Sequence, residues 1–389
     1  MSKLKRILSG ILTAAVLATS VSLFSACSDT ENNNSSGNGT NNTENHGSLA
    51  VAFPVGNIRV AVNILALKLG YFDEEGVSIT PVNLIGMDAL TAINNTNDLD
   101  VLGAGFVPDL QALASGYDLT FIAGTAVEGG AVIAKKGNAA KYQNASSIIN
   151  TNAFTTAKLG LVRNEASWVV TRQYLLDSGV SEDVLSAIED ESAGNITYYG
   201  ENTDVAQAVQ KGEVELGFLP MEYALLYADA YDLEVVAAAG DLQTDYVCCR
   251  EVTTPAKLSE KKDAFIAYET ARIRAYEYYK QGETDSTVRE NVVKTVADYS
   301  GKETDYVETY LYGGVTKYSV DPNTKGIQKY VVAAYNSGAL SSAAIDFGTY
   351  DITKNVDTSA YKTALDNLIA ANPDNSFYAE LLTQYNSSN

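Results

Sequence analysis

Residues 106–124 read FVPDLQALASGYDLTFIAG, and residues 218–240 read FLPMEYALLYADAYDLEVVAAAG. Each opens on Phe, an aliphatic residue and Pro, at Phe106-Val107-Pro108 and Phe218-Leu219-Pro220. Each runs through Ala and Leu to Tyr-Asp-Leu, at 117–119 and 231–233, and closes a short apolar run with Gly. Proline is tolerated in a first helical turn, where no amide donor is missed, so each stretch reads as strand end, helix, strand. The spacing between the two copies is too long for a solenoid repeat. The repetition predicts two similar lobes, each built from this step.

The flanking sequence extends the pattern. SLAVAFP from Ser48 reads as a buried strand. Asn57 is placed to cap a helix carrying Ile58, Ala61, Val62, Leu65 and Leu69, with Gly70 at its end. A turn at 73–76 leads to a second strand, 86–97 reads as a helix, LDVLGAGFV as a third strand, and DLTFIAGTA as a fourth. A second series starts near Ala157: strands KLGLV, NITYYG, VELGFLP and LEVVAAAG alternate with helices over 167–177, 204–211 and 221–230. Alternation of this kind argues for α/β architecture, with parallel-rich sheets flanked by helices. AVIAKKGN and TDYVCCREVTT are the candidate crossovers, which divides the body into lobe one (48–145 plus 245–389) and lobe two (146–244). Helices are expected over 255–281, 285–299, 304–311, 323–335 and 359–371, packed on lobe one through apolar positions three and four apart.

The amino terminus sets the compartment. Lys3, Lys5 and Arg6 precede an apolar run from Ile7 to Leu23, the pattern of a secretory signal peptide over 1–26. Leu23-Phe24-Ser25-Ala26-Cys27 resembles a bacterial lipobox, which implies a lipid on Cys27; Phe24 stands where Leu is usual. SDTENNNSSGNGTNNTENHG follows without a large apolar residue, so 27–47 is expected to be a disordered tether. The chain carries a formal charge of −21, and loses three more positive charges with the leader. Such a surface repels nucleic acid and anionic head groups. Beyond Cys27 the chain has Cys248 and Cys249, too few for a disulfide framework and read as buried thiols.

LALKLGYFDEEGVSI, the turn at Gly86, DLDVLGAGFVPDLQALASGYDLTFIAG, VAQAVQKGEVELGFLP and YDLEVVAAAGD together resemble the substrate-binding proteins of ABC importers, in the group that takes sulfonates, taurine, nitrate and thiamine precursors. The resemblance spans nearly all of the chain after the leader and weakens beyond residue 300. It implies a two-lobed periplasmic-binding fold of type II with two crossover segments, one small ligand in the cleft, and an ABC permease with its ATPase as partner. A monomer on the extracytoplasmic face of a bacterial membrane is expected, with no cofactor, and a body with two adjacent Cys and no His offers no transition-metal ligand set, so no metal is expected. Relatives often carry Gly-Ser at the end of the first lobe-two strand, where this chain has Val162-Arg163-Asn164-Glu165-Ala166-Ser167.

In open parallel sheets, ligands sit beyond the carboxyl ends of strands. That rule selects Val55, Asn57, Arg59, Met87, Asp88, Phe106 and Thr125 from lobe one. From lobe two it selects Arg163, Asn164, Ser167, Trp168, Phe218 and Glu222. Arg163 is the leading anion clamp, since a guanidinium holds a sulfonate or carboxylate through two hydrogen bonds; the bland alternative pairs it with Glu165 on the surface. Arg59 is either a second clamp or part of a solvated helix face. Trp168 stacks on a ligand or fills the lobe-two core, and Phe106 and Phe218 face each other across the cleft or lie in the core. Asp88 and Glu222 receive a ligand amine or simply balance a helix N-terminus.

The expected function is capture of a small organic anion, sulfonate-, nitrate- or taurine-like, without turnover. A thiamine-precursor pyrimidine or other flat heterocycle is the alternative ligand. The enzyme alternative rests on resemblance to yeast-type thiamine pyrimidine synthases, which use a Lys-bound pyridoxal phosphate, an active-site His and a Cys-rich motif. Cys248-Cys249 is the echo of that motif here, and the sole His, His46, falls in the expected tether, leaving no His base for the body.

Overall fold

The computed structural model describes residues 44–389 except 97, 145, 146, 245 and 341–343. The expected leader, Cys27 and the tether as far as residue 43 lie outside the described residues. Twelve strands are described in chain order: β1 (Gly47–Ala52), β2 (Val77–Val82), β3 (Leu102–Gly105), β4 (Thr120–Gly124), β5 (Ala126–Val127), β6 (Gly130–Lys135), β7 (Leu159–Val162), β8 (Ile196–Tyr199), β9 (Leu216–Pro220), β10 (Leu233–Ala238), β11 (Cys249–Thr253) and β12 (Lys317–Tyr318).

Their pairing explains the repeated sequence. β1 and β2 are parallel, and β1 joins the start of β3 through a parallel bridge between Val51 and Val101. β11 lies antiparallel between β3 and β4, giving the order β2-β1-β3-β11-β4. In the second lobe, β7 is parallel to both β8 and β9, and β6 lies antiparallel between β9 and β10, giving β8-β7-β9-β6-β10. The two orders match position for position. The two quoted stretches are the equivalent steps, β3 to β4 through helix Phe106–Ala114 and β9 to β10 through helix Met221–Ala228.

The candidate crossovers need correction. AVIAKKGN was expected to connect the lobes, yet Gly130–Lys135 is a strand inside the lobe-two sheet. Its buried run Ala131-Val132-Ile133-Ala134 is that of a strand covered on both faces. Residues 139–142 follow it: Ala139 N–H donates to Glu234 Oε1 at 2.6 Å, and the Tyr142 hydroxyl to Glu215 at 2.9 Å. The pairing therefore puts 130–142 with lobe two, before the expected entry at 145. On the return, Cys249–Thr253 is already a strand of the lobe-one sheet. Each sheet thus takes its antiparallel strand from the chain just after it changes lobes.

Three other expectations shift. His46 does not float in a tether: its N–H donates to Gly76 O at 2.8 Å, extending the β1–β2 pairing, so the end of the 27–47 segment is part of the body. Asn57 caps a turn instead of the helix. Its Oδ1 accepts from Arg59 N at 2.8 Å, and the helix begins four residues on, at Ala61–Lys68. The expected helix over 255–281 breaks at Lys261 into Pro255–Glu260 and Lys262–Gln281. There Lys257 Nζ donates to Ile93 O and Leu99 O, and Lys261 Nζ to both oxygens of Asp100, so side-chain bonds to lobe one override helix continuity.

Helix Lys262–Gln281 then packs along Ala61–Lys68 and Ser359–Ala371. Within that layer Arg272 donates to Glu269, Asn63 and the Gly124 carbonyl, while Glu251 of β11 accepts from Asn63 and Tyr268. Buried charges are tolerable when partnered in this way, and this network fixes β11 against the helical layer. Among the described residues no helix is long and apolar enough to cross a membrane.

Candidate ligand-binding site

The carboxyl ends of the lobe-one strands enclose a cavity of about 200 Å³. Asn57 and Arg59 follow β1, Ile85 and Gly86 follow β2, Gly105 ends β3 and Pro108 follows it; Leu90, Leu102, Gly103 and Cys249 complete the wall. Glycine at 105 keeps the space open: a Cβ there would meet only the Pro108 ring, at 3.6 Å and beyond. The cavity wall is apolar and exposed at Ile85, 57% accessible, and the sequence neighbours Val55 and Met87 are exposed as well. A roomier depression of about 400 Å³ lies among the carboxyl-terminal helices, lined by Tyr276, Arg289, Tyr312 and Gln384. It is away from these strand ends and brings together no residue expected to bind ligand.

Arg59 reaches from the cavity wall to the other lobe. Its guanidinium donates to Glu222 Oε1 at 2.8 Å, with the two side chains 24% and 13% exposed. Glu222 stands in the first turn after β9, and its carbonyl accepts from the Tyr306 hydroxyl at 3.0 Å. The Glu222 carboxylate holds Arg59 more firmly protonated than usual, against the opposing effect of burial. Arg59 Nε is buried without a partner.

A second carboxyl completes the polar floor. Burial pushes Glu165 up to about 7; the N–H and hydroxyl of buried Ser167 donate to it at 3.3 and 3.2 Å and oppose that rise, as does Arg59, while Cys248 adds to it. Cys249 donates its S–H toward Cys248 with 3.7 Å between sulfurs. This hydrogen bond, with Arg59 and the Gly129 N–H, draws the Cys248 thiol down to about 7 against burial, and the shared proton pushes Cys249 the other way. Tyr246 and Tyr330 stack beside them with centroids 5.9 Å apart, and the buried Tyr330 hydroxyl has no hydrogen-bond partner. Gly130 makes this approach possible: a Cβ there would stand 2.9 Å from Ser167 Cβ.

Of the residues expected from sequence, Asn57 lines the cavity and Arg59, Ser167 and Glu222 come to this seam, while Val55 and Met87 are exposed and do not line the cavity. Asp88 is exposed in the first turn of Gly86–Thr91. Asn164 takes a left-handed conformation, φ 66°, and turns the chain after β7. Arg163 is not a clamp across the cleft. It is 59% exposed, donates to Glu191 at 2.9 Å and lies 3.9 Å over the Tyr198 ring, because the turn at Asn164 leaves it on the outer side of β7. Its partner is also not the Glu165 of the surface alternative. Phe106 and Phe218 do not face each other. Phe106 packs edge-on to Phe121 at 4.9 Å, and Phe218 packs edge-on to Trp168 at 5.1 Å, and both are buried. Trp168 is buried and donates to Glu189 at 3.0 Å, so it is a core residue. Thr125 is buried, with its Oγ1 accepting from Ala126 N.

Cys248, Cys249, Tyr246 and Tyr330 were missed as site residues, and Glu165, within the strand end 163–168, was named only as a surface partner for Arg163. Tyr246, Cys248 and Cys249 lie in the crossover read as a connector, and in a two-lobed fold such crossovers necessarily border the cleft. Among the described residues no group of three or more His, Cys, Asp and Glu is arranged to hold a metal ion.

No protein-family model matches the chain, and no curated protein matches it in sequence. Solved structures do. A periplasmic nitrate-binding protein from Synechocystis PCC 6803 aligns with TM-score 0.60 at 13% identity, over 82% of this chain and 89% of that one. The ligand-binding component of an ABC-type import system from Staphylococcus aureus, solved with zinc bound, aligns with TM-score 0.58 at 14% identity, over 82% and 98%. The alkanesulfonate-binding protein from Xanthomonas axonopodis pv. citri, solved with MOPS, aligns with TM-score 0.56 at 16% identity, over 80% and 98%. Likeness at these identities establishes architecture, and with the matched strand orders it gives the conclusion that this chain has the two-lobed fold of the periplasmic binding proteins.

Proposed function

We propose that this protein is the extracytoplasmic solute-binding lipoprotein of an ABC importer. It captures one small organic molecule between its lobes and hands it to a permease driven by an ATPase. The observation that carries this reading is the cavity at the lobe-one strand ends, bridged to lobe two by Arg59 and Glu222. A ligand there contacts Arg59, which is bonded to Glu222 of lobe two, so a ligand that also reaches the seam stabilises the closed form by its differential affinity for that form. The fold shared with ligand-binding components of import systems supports the same role. The lobes we propose are 44–127 with 247–389, and 130–243, joined at 128–129 and 244–246.

The anchoring part of the reading rests on the leader and the lipobox-like Leu23–Cys27. Cys27→Ser should move the protein from the membrane fraction to the soluble fraction or leave it unprocessed; unchanged processing and membrane association refute the anchor. The importer role is tested by native mass spectrometry of the freshly purified soluble domain, followed by uptake of the retained molecule in cells lacking the gene. Loss of uptake, with recovery of the molecule unchanged after incubation with the protein, is the expected result. Chemical conversion of the molecule would favour an enzyme instead.

A further inference from the structure

The sign and shape of the cleft bear on what it binds. We propose, resting on the solute-binding reading, that its ligand is a compact apolar body carrying a cationic or hydrogen-donating nitrogen, and that organic anions such as sulfonates are disfavoured. The body belongs in the lobe-one cavity, whose wall is Leu90, Leu102, Pro108, Ile85 and glycine backbone. Cavities of roughly 150 Å³ with apolar walls accept a benzene-sized ring, so about 200 Å³ holds one ring with a short substituent.

The head belongs at the seam, where charge decides. One guanidinium meets two carboxyls there: Arg59 is already bonded to Glu222, and Glu165 lies within the electrostatic reach of Arg59 and Cys248. An arriving anion has to take Arg59 from Glu222. That strands Glu222, 13% exposed, without its partner, and the cost of a buried unpaired charge works against binding. A nitrogen head leaves the Arg59–Glu222 pair intact and adds a donor to Glu165, which among the described residues accepts from the N–H and hydroxyl of Ser167. The unpartnered Tyr330 hydroxyl beside it supplies a further acceptor or donor. The unpartnered Nε of Arg59 is left to a neutral acceptor or to water. The acidic pair alone would be an ordinary polar cluster. The cavity and the orphaned buried hydroxyl make it a site.

Three probes of one shape separate the alternatives: benzamidine, benzamide and benzenesulfonate. Thermal shift and titration calorimetry at pH 8 on the soluble domain should rank them in that order, with benzenesulfonate giving no stabilisation. Glu165→Gln should weaken benzamidine at least tenfold while benzamide changes little. Glu222→Gln, which releases Arg59, should improve benzenesulfonate; if that variant does not fold, the wild-type ranking and Glu165→Gln carry the test. Benzenesulfonate binding wild type as tightly as benzamidine overturns the proposal, and so does a complete absence of stabilisation by all three. The importer role fails separately. The predicted ranking without any uptake defect keeps the ligand class and removes the role, whereas uptake of a sulfonate keeps the role and removes the class.

Discussion

The Arg59–Glu222 bond is the contact most open to quantitative attack, because it ties one lobe to the other through side chains alone. Removing one partner of a fully buried pair costs about 3–5 kcal/mol, since the other charge is left behind. These side chains retain 24% and 13% exposure, so water reaches the survivor and the cost falls to about 2 kcal/mol for each single change. Arg59→Met and Glu222→Leu keep bulk while deleting charge. The double variant strands no charge, and should lose about 1–2 kcal/mol in total, leaving a coupling energy of about 2–3 kcal/mol. Unfolding entropy near 2 cal/mol/K per residue gives about 0.7 kcal/mol per degree for the roughly 340 described residues of the body, so each single variant should melt about 3 °C lower.

The same pair biases closure. About 2 kcal/mol corresponds to a roughly thirtyfold change in the ratio of closed to open forms. Small-angle scattering of ligand-free single variants should therefore show a larger radius of gyration than wild type. Chemical denaturation of all four proteins supplies the cycle. A coupling energy below about 0.3 kcal/mol, with unchanged scattering, would refute the claim that this bond holds the lobes together.

Further expectations concern the cavity, the two lobe-two residues that changed role, and pH. Gly105→Leu points into the cavity with little in its way, so it should abolish benzamidine binding while the melting temperature stays within a few degrees; retained binding places the ligand elsewhere. Arg163→Ala removes an exposed ion pair and should cost at most about 1 kcal/mol with unchanged ligand affinity, whereas Trp168→Ala should cost about 3–5 kcal/mol; a tenfold affinity loss in Arg163→Ala would restore the clamp. Glu165 rises from an ordinary value near 4.5 to about 7 on folding, so the folded state binds the extra proton between them. Stability should therefore fall as pH climbs from about 4.5 to 7 and level off above, by about 3 kcal/mol for this group. Arg59, Cys248, Tyr246, Tyr330 and Ser167 face Glu165, and Glu269, also raised to about 7 by burial, adds a parallel slope. Melting curves of Glu165→Gln beside wild type isolate the difference; identical pH slopes would show that Glu165 is not buried as described.

How far sequence carried can be judged from particular residues. The Phe-aliphatic-Pro repeat marked the equivalent steps correctly because strand and helix periods are local, and the two sheet orders agree. The same repeat tempted a reading of Phe106 and Phe218 as facing rings. Equivalence under the repeat says only that both share an environment, and that environment is core. Arg163 and Arg59 exchanged roles for a similar reason. Both follow a strand end, but side-chain direction is set by the turn: left-handed Asn164 leaves Arg163 outside, and the Asx turn at Asn57 sends Arg59 across the seam. AVIAKKGN was misplaced because a central antiparallel strand and an extended connector have the same apolar run. Only pairing with β9 and β10 distinguishes them, and that information is not local.

The hinge follows from the same topology. Since each antiparallel strand begins just after the chain changes lobes, the residues preceding β6 and β11 are both connector and cleft floor. Glu128 and Gly129 enter β6, and Cys248 precedes β11. Glu128 holds a left-handed backbone, φ 58°, while its buried carboxylate bonds Lys317 at 2.8 Å. A Cβ on Gly240 of lobe two would lie 2.7 Å from Glu128 Cβ, so glycine permits this close approach. Cys248 meets the Gly129 N–H and senses Glu165 and Arg59 from opposite lobes. Rotation of one lobe against the other about these residues changes the distances among Arg59, Glu165, Glu222 and Cys248 together. A ligand that bonds to these groups acts directly on the hinge, so binding and closure need no longer path between them than the cleft floor itself.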